Sequence, residues 1–324
     1  MSKKQPLLLR IVRKRIFLMV LLTLVFVVFF AILSEGFTLT RRNIINIVSS
    51  MAITTFLTTG AAFLLISGKL DLSMGATGTL CGMILAYVMR AGLPLIPSII
   101  LTLVAGAFVG LINAALVNEL HIAPFIATIA TSTIATGFVY ILGQRKTIDI
   151  TNQTLINYGK NTLFEIMPIC SLVAIVCMVV AGIVLHKTTF GRKIYSVGGN
   201  PEASMLSGIN PRKVTYALFI TCGIFASMAG ITFVARMQSA NLQGILSSRF
   251  NGIIAAILGG IALGGGSGGM VGAFVGLLII SVFNNGMNAI GIGPNWQNIA
   301  SGLLLIFALA LDYIQKKQRL KVVV

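Results

Sequence analysis

The sequence has few charged residues, and this scarcity is the first constraint on its class. Only 10% of the 324 residues are charged and 56% are hydrophobic, whereas a soluble domain carries about 25% charged residues. The mean hydropathy is +0.97. Most of the chain must therefore be surrounded by lipid or by other apolar helices, and there is no room for a separate soluble domain.

Acidic residues, histidines and cysteines are also rare, which limits the catalytic and metal sites that the chain could form. The two histidines do not favour a metal site, and the four cysteines lie in or beside apolar segments, as packing residues do. The acids stand singly, nearly all at the ends of apolar runs or between them. They are Glu35, Asp71, Glu119, Asp149, Glu165, Glu202 and Asp312. We expect no enzyme, cofactor or metal here, and an ion-coupled carrier with buried mid-membrane acids is disfavoured.

Cations greatly outnumber acids, with 24 Lys and Arg against 7 Asp and Glu. They form short patches between apolar runs, a pattern that orients a membrane protein and does not indicate a nucleic acid partner. If the chain crosses the membrane ten times, both termini lie on the same side. About two thirds of the cations then fall in segments on that side, whereas Arg41 and Arg42 fall on the other side. Both termini are therefore predicted to be cytoplasmic.

Apolar runs of about 20 residues, each long enough to cross a bilayer, predict an all-α, polytopic integral membrane protein with about ten transmembrane helices. The first seven are predicted at 16–33, 44–66, 72–89, 94–117, 124–142, 166–185 and 214–235. Two more share 250–290, divided at Gly264–Gly269, and the last covers 295–314.

These spans define three parts of the chain. A basic cytoplasmic leader covers 1–15, a transmembrane domain covers 16–314, and a basic cytoplasmic tail covers 315–324. The polar segment 144–164 is expected on the outer side.

One hexapeptide occurs twice, Gly-Ala-Phe-Val-Gly-Leu at 106–111 and at 272–277. Each copy contains a Gly-x-x-x-Gly pair, which lets helices approach closely. The reuse is either a coincidence of packing or the trace of an inverted repeat that relates the second to fifth helices to the seventh to tenth. Such repeats are common in transporters and place the pathway at their interface.

The longest polar interruption is a basic stretch from His186 to Lys213, predicted as an inner loop over 187–213. Asn200 is suited to cap a helix, Pro201 fits its first position, and Glu202 suits the positive end of the helix dipole. Gly208 is a suitable stop. The pattern predicts an exposed helix of about two turns, roughly 12 Å long. It is either a docking element or an ordinary inner loop whose cations set orientation.

A second glycine-rich stretch, Gly260–Ser267, nearly fits a phosphate-binding loop. Gly266 stands where the essential lysine would be, and no strand precedes the stretch. The chain therefore does not bind ATP by this route. If ATP drives it, a partner must hydrolyse the ATP.

Polar side chains within the apolar helices are candidates for a solute pathway. Thr128, Ser132 and Thr136 recur every four residues and form one hydroxyl stripe, and Asn284 and Asn288 share a helix face. A polyhydroxylated solute needs such partners where water is removed. Alternatively, the hydroxyls bond to their own helix and the amides join helices.

Asp71 and Ser73 allow a similar choice. Asp71 is a candidate gate residue near the inner mouth of a pathway, and either residue is also suited to cap the third helix.

Three segments carry a family resemblance. Ile66–Gly75 resembles the "SGGIDLSVG" signature of sugar ABC importer permeases of the ribose, galactose and xylose type, which are related to branched-chain amino acid permeases. Gly198–Ala203 with Leu206–Ile209, and the glycine-rich 259–276 leading to Asn284-Asn285-Gly286, are similar to later signatures in the same order. The resemblance spans roughly residues 35–312. Lys69 departs from the family, which has a small or apolar residue there.

The resemblance implies a permease subunit in the bacterial inner membrane that carries a small polar solute, such as a monosaccharide, into the cell. It implies ABC ATP-binding subunits on the inner face, an extracytoplasmic solute-binding protein, and either a homodimer or a heterodimer with a second permease. It also assigns docking on the ATPase to one set of loop residues: Gly199, Asn200, Pro201, Glu202, Ala203, Leu206, Ser207 and Gly208. The alternatives from other classes are an ion-coupled secondary transporter and a membrane enzyme.

Overall fold

The structure is a computed structural model, which describes residues 7–248, 250–293, 295–304, 306, 307 and 310. Twelve α-helices within these ranges have defined bounds: α1 Leu7–Leu33, α2 Arg41–Ile66, α3 Met74–Arg90, α4 Leu95–Asn118, α5 Pro124–Gly143, α6 Gln153–Lys160, α7 Ile169–Lys187, α8 Thr189–Gly199, α9 Pro201–Leu206, α10 Pro211–Met237, α11 Asn251–Leu258 and α12 Met270–Ala289. Residues 295–304 are also helical.

Extended structure is minor in the described ranges. There are four two-residue strands: β1 Ile148–Asp149, β2 Thr162–Leu163, β3 Met167–Pro168 and β4 Ser239–Ala240. β1 pairs antiparallel with β4, and β2 with β3. Short 3-10 helices cover Phe37–Leu39 and Leu246–Ser248.

Seven of the described helices are long and apolar enough to cross a membrane, which confirms the all-α, polytopic prediction. They are the Ile16–Leu33 part of α1 together with α2, α4, α5, α7, α10 and α12. Helix α1 begins at Leu7, so it includes most of the predicted leader 1–15, and the cytoplasmic position of that leader stays a prediction. The predicted tail 315–324 lies outside the described residues.

The region 250–290 differs from the prediction of two spanning helices. It breaks at the predicted glycine turn, but α11 has only 8 residues. A helix of that length is about 12 Å long and cannot cross a hydrocarbon core of about 30 Å. The predicted last span is helical over 295–304, and most of its remainder lies outside the described residues.

Helices α2 and α10 form the centre of the bundle, and α10 packs on α2, α3 and α4. The α4–α10 contact is close because Gly106 and Gly110 bring the two backbones together. A Cβ at either position would overlap α10, at Ser227 for the first and at the carbonyl of Phe219 for the second. These glycines begin and nearly end the first copy of the hexapeptide, so that copy is a packing surface.

The second hexapeptide is also a packing surface, but its partner differs. Gly272 and Gly276 lie against the backbone of Gly259 and Ala255, at the end of α11. In the predicted repeat α12 corresponds to α4, and α2 corresponds to α10, so the equivalent glycine contact would be with α2. The hexapeptide is thus explained by close packing, and the inverted repeat stays a prediction.

The polar segment 144–164 contains structure that the sequence analysis did not predict. Its helix α6 packs on α10, where the hydroxyls of Tyr158 and Thr232 lie 3.0 Å apart. Its strand β1 pairs with β4, with Ile148 opposite Ala240. The segment therefore ties the α10–α11 connection to the loop after α5.

Candidate functional site

The basic stretch between α7 and α10 folds as two short helices, α8 and α9, with a cap at each start. Thr188 accepts a hydrogen bond from the backbone of Gly191 at 3.2 Å, and Asn200 accepts one from Ala203 at 3.0 Å. Asn210 caps α10 in the same way. These side chains satisfy helix N–H groups that would otherwise lack partners.

Helix α9 forms where the sequence predicts it, with the predicted cap at Asn200. It is shorter than predicted, with 6 residues. Gly208 follows with φ of +78°, the left-handed conformation that ends a helix and favours glycine.

The outer face of α9 is exposed and partly apolar. Leu206 is 92% exposed and Met205 61% exposed. Glu202 is also exposed, and within the described residues it forms no ion pair. Exposed large apolar side chains beside an unpaired acid can contact another protein.

A basic cleft of about 290 Å³ lies beside α9, between α8 and the start of α10. Its lining residues include Lys193, Asn210 and Lys213. The cleft can accept a carboxylate from a partner, because both lysines are exposed and no acid pairs with either in the described part of the chain.

A larger cavity, of about 580 Å³, opens between α5, the α10–α11 connection and the helical residues 295–304. Its volume is within the usual range for small-molecule sites, about 300–1,000 Å³. Most lining side chains carry hydroxyl or amide groups, and none of the described ones is charged. The lining is Ser132, Thr133, Thr136, Gln243, Leu246, Phe250, Asn251, Asn298, Ser301 and Gly302.

The predicted hydroxyl stripe on α5 divides between this cavity and the helix packing. Ser132 and Thr136 line the cavity, although the hydroxyl of Thr136 also donates to the carbonyl of Ser132 at 2.8 Å. Thr128 is buried, and its hydroxyl accepts a hydrogen bond from the backbone of Leu72 at 3.1 Å. Thr128 thus holds the α2–α3 connection.

The structure places the two predicted asparagines of α12 outside the cavity lining. Asn288 accepts a hydrogen bond from Gln297 at 2.6 Å, so it joins α12 to the segment that follows. The side-chain oxygen of Asn284 is buried, without a hydrogen-bond partner among the described residues. The neighbouring Asn285 exchanges two hydrogen bonds with Asn43 of α2. This face of α12 mainly joins helices.

Asp71 and Ser73 are buried in a polar network between helices. The carboxylate of Asp71, which is 4% exposed, accepts hydrogen bonds from the backbone and the hydroxyl of Ser73 at 2.7 and 2.6 Å. Asn113 of α4 donates to the Ser73 hydroxyl at 3.0 Å and accepts from Thr131 of α5 at 2.7 Å. The network fixes the start of α3 against α4 and α5. Ser73 occupies the N-cap position of α3, but its side chain makes no capping hydrogen bond, and Asp71 bonds to Ser73 rather than to an N–H group of the helix. The network therefore holds the residues before α3, and the structure does not support the capping interpretation for either residue.

We expect Asn113→Ala to lower the thermal unfolding midpoint of the detergent-solubilised protein. The change removes both hydrogen bonds of a fully buried amide, at a cost of about 1–3 kcal/mol. Gln153→Ala is the matched control, because within the described part of the chain this exposed amide bonds only to Asn157. Equal midpoints for the two variants would contradict the role given to Asn113.

Several polar residues that line the cavity are not among the residues predicted from the sequence. Gln243 and Asn251 lie where the sequence predicts an ordinary loop and an apolar helix, so nothing local identified them. Asn298 and Ser301 are three residues apart, which places them on one helix face. This three-residue spacing is a sequence pattern that could identify Asn298 and Ser301 as a polar helix face.

Comparisons with known proteins agree with this architecture. Residues 43–309 match the family described as branched-chain amino acid transport system / permease component. The ribose import permease protein of Bacillus subtilis (strain 168) is 34% identical over 290 residues, which cover 89% of each chain. The ribose import permease protein of Escherichia coli (strain K12) is 31% identical and covers 91% of this chain and 92% of its own. The D-allose transport system permease protein of the same strain is 30% identical, over 90% of each chain. No solved structure matches the chain significantly.

Proposed function

Because the chain belongs to the branched-chain amino acid transport system / permease component family, we propose that it translocates a monosaccharide or related polar solute into the cell, energised by ATP hydrolysis on a partner subunit. It is a sugar-importer permease of the bacterial inner membrane, a transporter subunit rather than an enzyme. The ribose and allose permeases that it resembles support the solute class.

The observation that carries the proposal is the uncharged, polar cavity between α5, the α10–α11 connection and residues 295–304. Hydroxyl and amide groups can replace the water that surrounds a sugar's hydroxyls, and they impose no charge preference. We assign the cavity to the solute pathway, with Ser132 and Thr136 as lining groups. Asp71, Ser73 and Thr128 then act through the positions of α3 and α5.

The exposed α9 and the basic cleft support docking of an ABC ATP-binding subunit on this face. The docking residues are those of the loop signature, Gly199–Ala203 and Leu206–Gly208, with Glu202 as the polar contact. This face is then cytoplasmic, as are both termini, and an extracytoplasmic solute-binding protein delivers the solute from the other side. A homodimer and a heterodimer with a sister permease both fit this arrangement.

The competing function, an ion-coupled secondary transporter, has less support. None of the seven spanning segments contains an acidic residue, and the buried Asp71 lies between α2 and α3 with its carboxylate bonded to Ser73. Carriers of that class often bury acids at mid-membrane to bind protons or sodium. ATP-driven import requires no such group in the membrane.

We expect a complex with the matching ATPase subunits, reconstituted in liposomes, to take up one sugar from a panel only when ATP and the loaded solute-binding protein are both present. The same binding protein should stimulate ATP hydrolysis. The chain alone, tested under proton and sodium gradients, is the control and should show no uptake. Gradient-driven uptake by the lone chain would replace this proposal with the secondary-transporter alternative.

A further inference from the structure

The three segments that carry the family resemblance, 66–75, 198–209 and 259–276, are distant in sequence but meet at the end of the bundle that bears α9. The backbone N–H of Gly266 donates a hydrogen bond of 2.8 Å to the carbonyl of Ile66, the last residue of α2. The glycine-rich loop between α11 and α12 is therefore attached directly to the end of the most buried spanning helix.

The C-terminal end of α8 lies against the same point. A Cβ at Gly198 would overlap the carbonyl oxygen of Ile66 and would lie 2.7 Å from the nitrogen of Gly266. A Cβ at Gly265 would lie 2.6 Å from the carbonyl oxygen of Gly198. We call these four residues the glycine junction, a site where three backbones touch without side chains between them.

A second contact, one turn earlier on α8, holds the end of the same loop that leads into α12. The hydroxyl of Tyr195 donates to the carbonyl of Gly268 at 2.7 Å. Burial raises the pKa of Tyr195 to about 12, and a phenol is protonated at physiological pH even at its ordinary pKa of about 10. The ring of His186, stacked on Tyr195 with centroids 6.2 Å apart, lies against Gly269.

These contacts connect the proposed docking surface to the proposed pathway. On one side, α8 is separated from α9 only by Asn200, and its Ile194 and Val197 are buried in the main core. On the other side, the loop continues from α11, and Asn251 at the start of α11 lines the polar cavity. The distance along α11 is about 12 Å at 1.5 Å per residue.

We propose that the glycine junction transmits movement between α9 and the cavity, with Gly198 and Tyr195 as positioning residues. The inference rests on the proposed function, since an ATPase subunit must move α9. A contact between backbones has no side-chain rotamers to absorb a displacement, and packed interfaces shift between discrete arrangements. Movement of α8 is therefore imposed on the end of α2 and on the loop that follows α11.

The first test is Gly198→Ala in the complete complex with ATPase subunits and binding protein. The added methyl group forces the junction apart, so uptake per ATP hydrolysed falls by about tenfold, within the usual range of coupling between sites. ATPase subunits still co-purify, because α9 is unchanged. Gly182→Ala in α7 is the matched control, because a Cβ there would lie 3.4 Å from Met270, an ordinary van der Waals distance. In this variant the ratio of uptake to ATP hydrolysis stays at the wild-type value.

Tyr195→Phe provides a test that adds no volume, in case Gly198→Ala fails to accumulate. It removes only the hydrogen bond to Gly268 and lowers the uptake-to-hydrolysis ratio by about fivefold, as expected for one lost hydrogen bond.

The outcomes separate the two proposals. A wild-type complex without ATP-dependent uptake overturns the proposed function together with the junction. A coupled wild type with an unchanged ratio in Tyr195→Phe overturns the junction alone. Loss of ATPase co-purification in Tyr195→Phe would make this residue part of the docking surface instead, and would also overturn the junction.

Discussion

We expect Glu202→Lys to insert normally in the membrane but to lose at least about tenfold in ATP-driven uptake, the scale of a central interface contact. Glu202 is exposed in the first turn of α9 and has no ion-pair partner in the described part of the chain, so it is free to bind another protein. A lysine there also puts a positive charge at the positive end of the helix dipole, beside an already basic loop.

The measurement is co-purification of the ATPase subunits, followed by uptake. Glu202→Gln separates charge from size and should show an intermediate loss. Glu165→Lys is the matched control, because this acid is also exposed but pairs with Arg41 at the opposite end of the bundle. It should keep the ATPase subunits bound. Normal co-purification and uptake in Glu202→Lys would remove this residue from the docking surface.

We expect Ser132→Phe to reduce uptake at least about tenfold, because it fills the cavity at the proposed solute position. Ser132 is half-buried on α5 and lines the cavity together with Gln243 and Asn251. Binding-protein-stimulated ATP hydrolysis should persist, because neither α9 nor the basic cleft changes. Ser132→Ala, which removes one hydroxyl without adding bulk, should lose much less.

Asn288→Ala is the comparison for this experiment. Asn288 bonds to Gln297 and does not line the cavity, so the variant should lose uptake only in proportion to folded protein in the membrane. If Asn288→Ala lost uptake selectively while Ser132→Phe did not, the pathway would lie along α12 and not in this cavity.

The spanning helices were predictable because length and hydropathy determine them. The predicted second span, 44–66, ends where α2 ends, at Ile66, because Ser67 and Gly68 interrupt the apolar run. The short α11 was not predictable in this way. Its residues are as apolar as those of a span, and it ends before Gly260, whose φ of +94° is the left-handed conformation that ends a helix. The preceding Gly259 lies against Gly272, and that contact depends on tertiary packing.

Residue types were easier to predict than their roles. Thr128, Ser132 and Thr136 share a helix face, as the four-residue spacing requires. The neighbours differ, however, since Thr128 meets the backbone of Leu72 and the other two meet the cavity. Which hydroxyl joins helices and which faces open space depends on the surrounding helices, and one sequence does not encode that arrangement locally.

The first helix contacts the rest of the bundle mainly through one neighbouring helix. Apart from the short turn after it, α1 packs chiefly on α12, where the ring of Phe30 lies against Gly286 and Phe26 and Phe30 contact Phe283. Only 11% of its apolar stretch is buried, and the family match begins after it, at residue 43. Because α1 packs chiefly on one helix, a related chain can carry a different first helix without repacking the helices around α2 and α10.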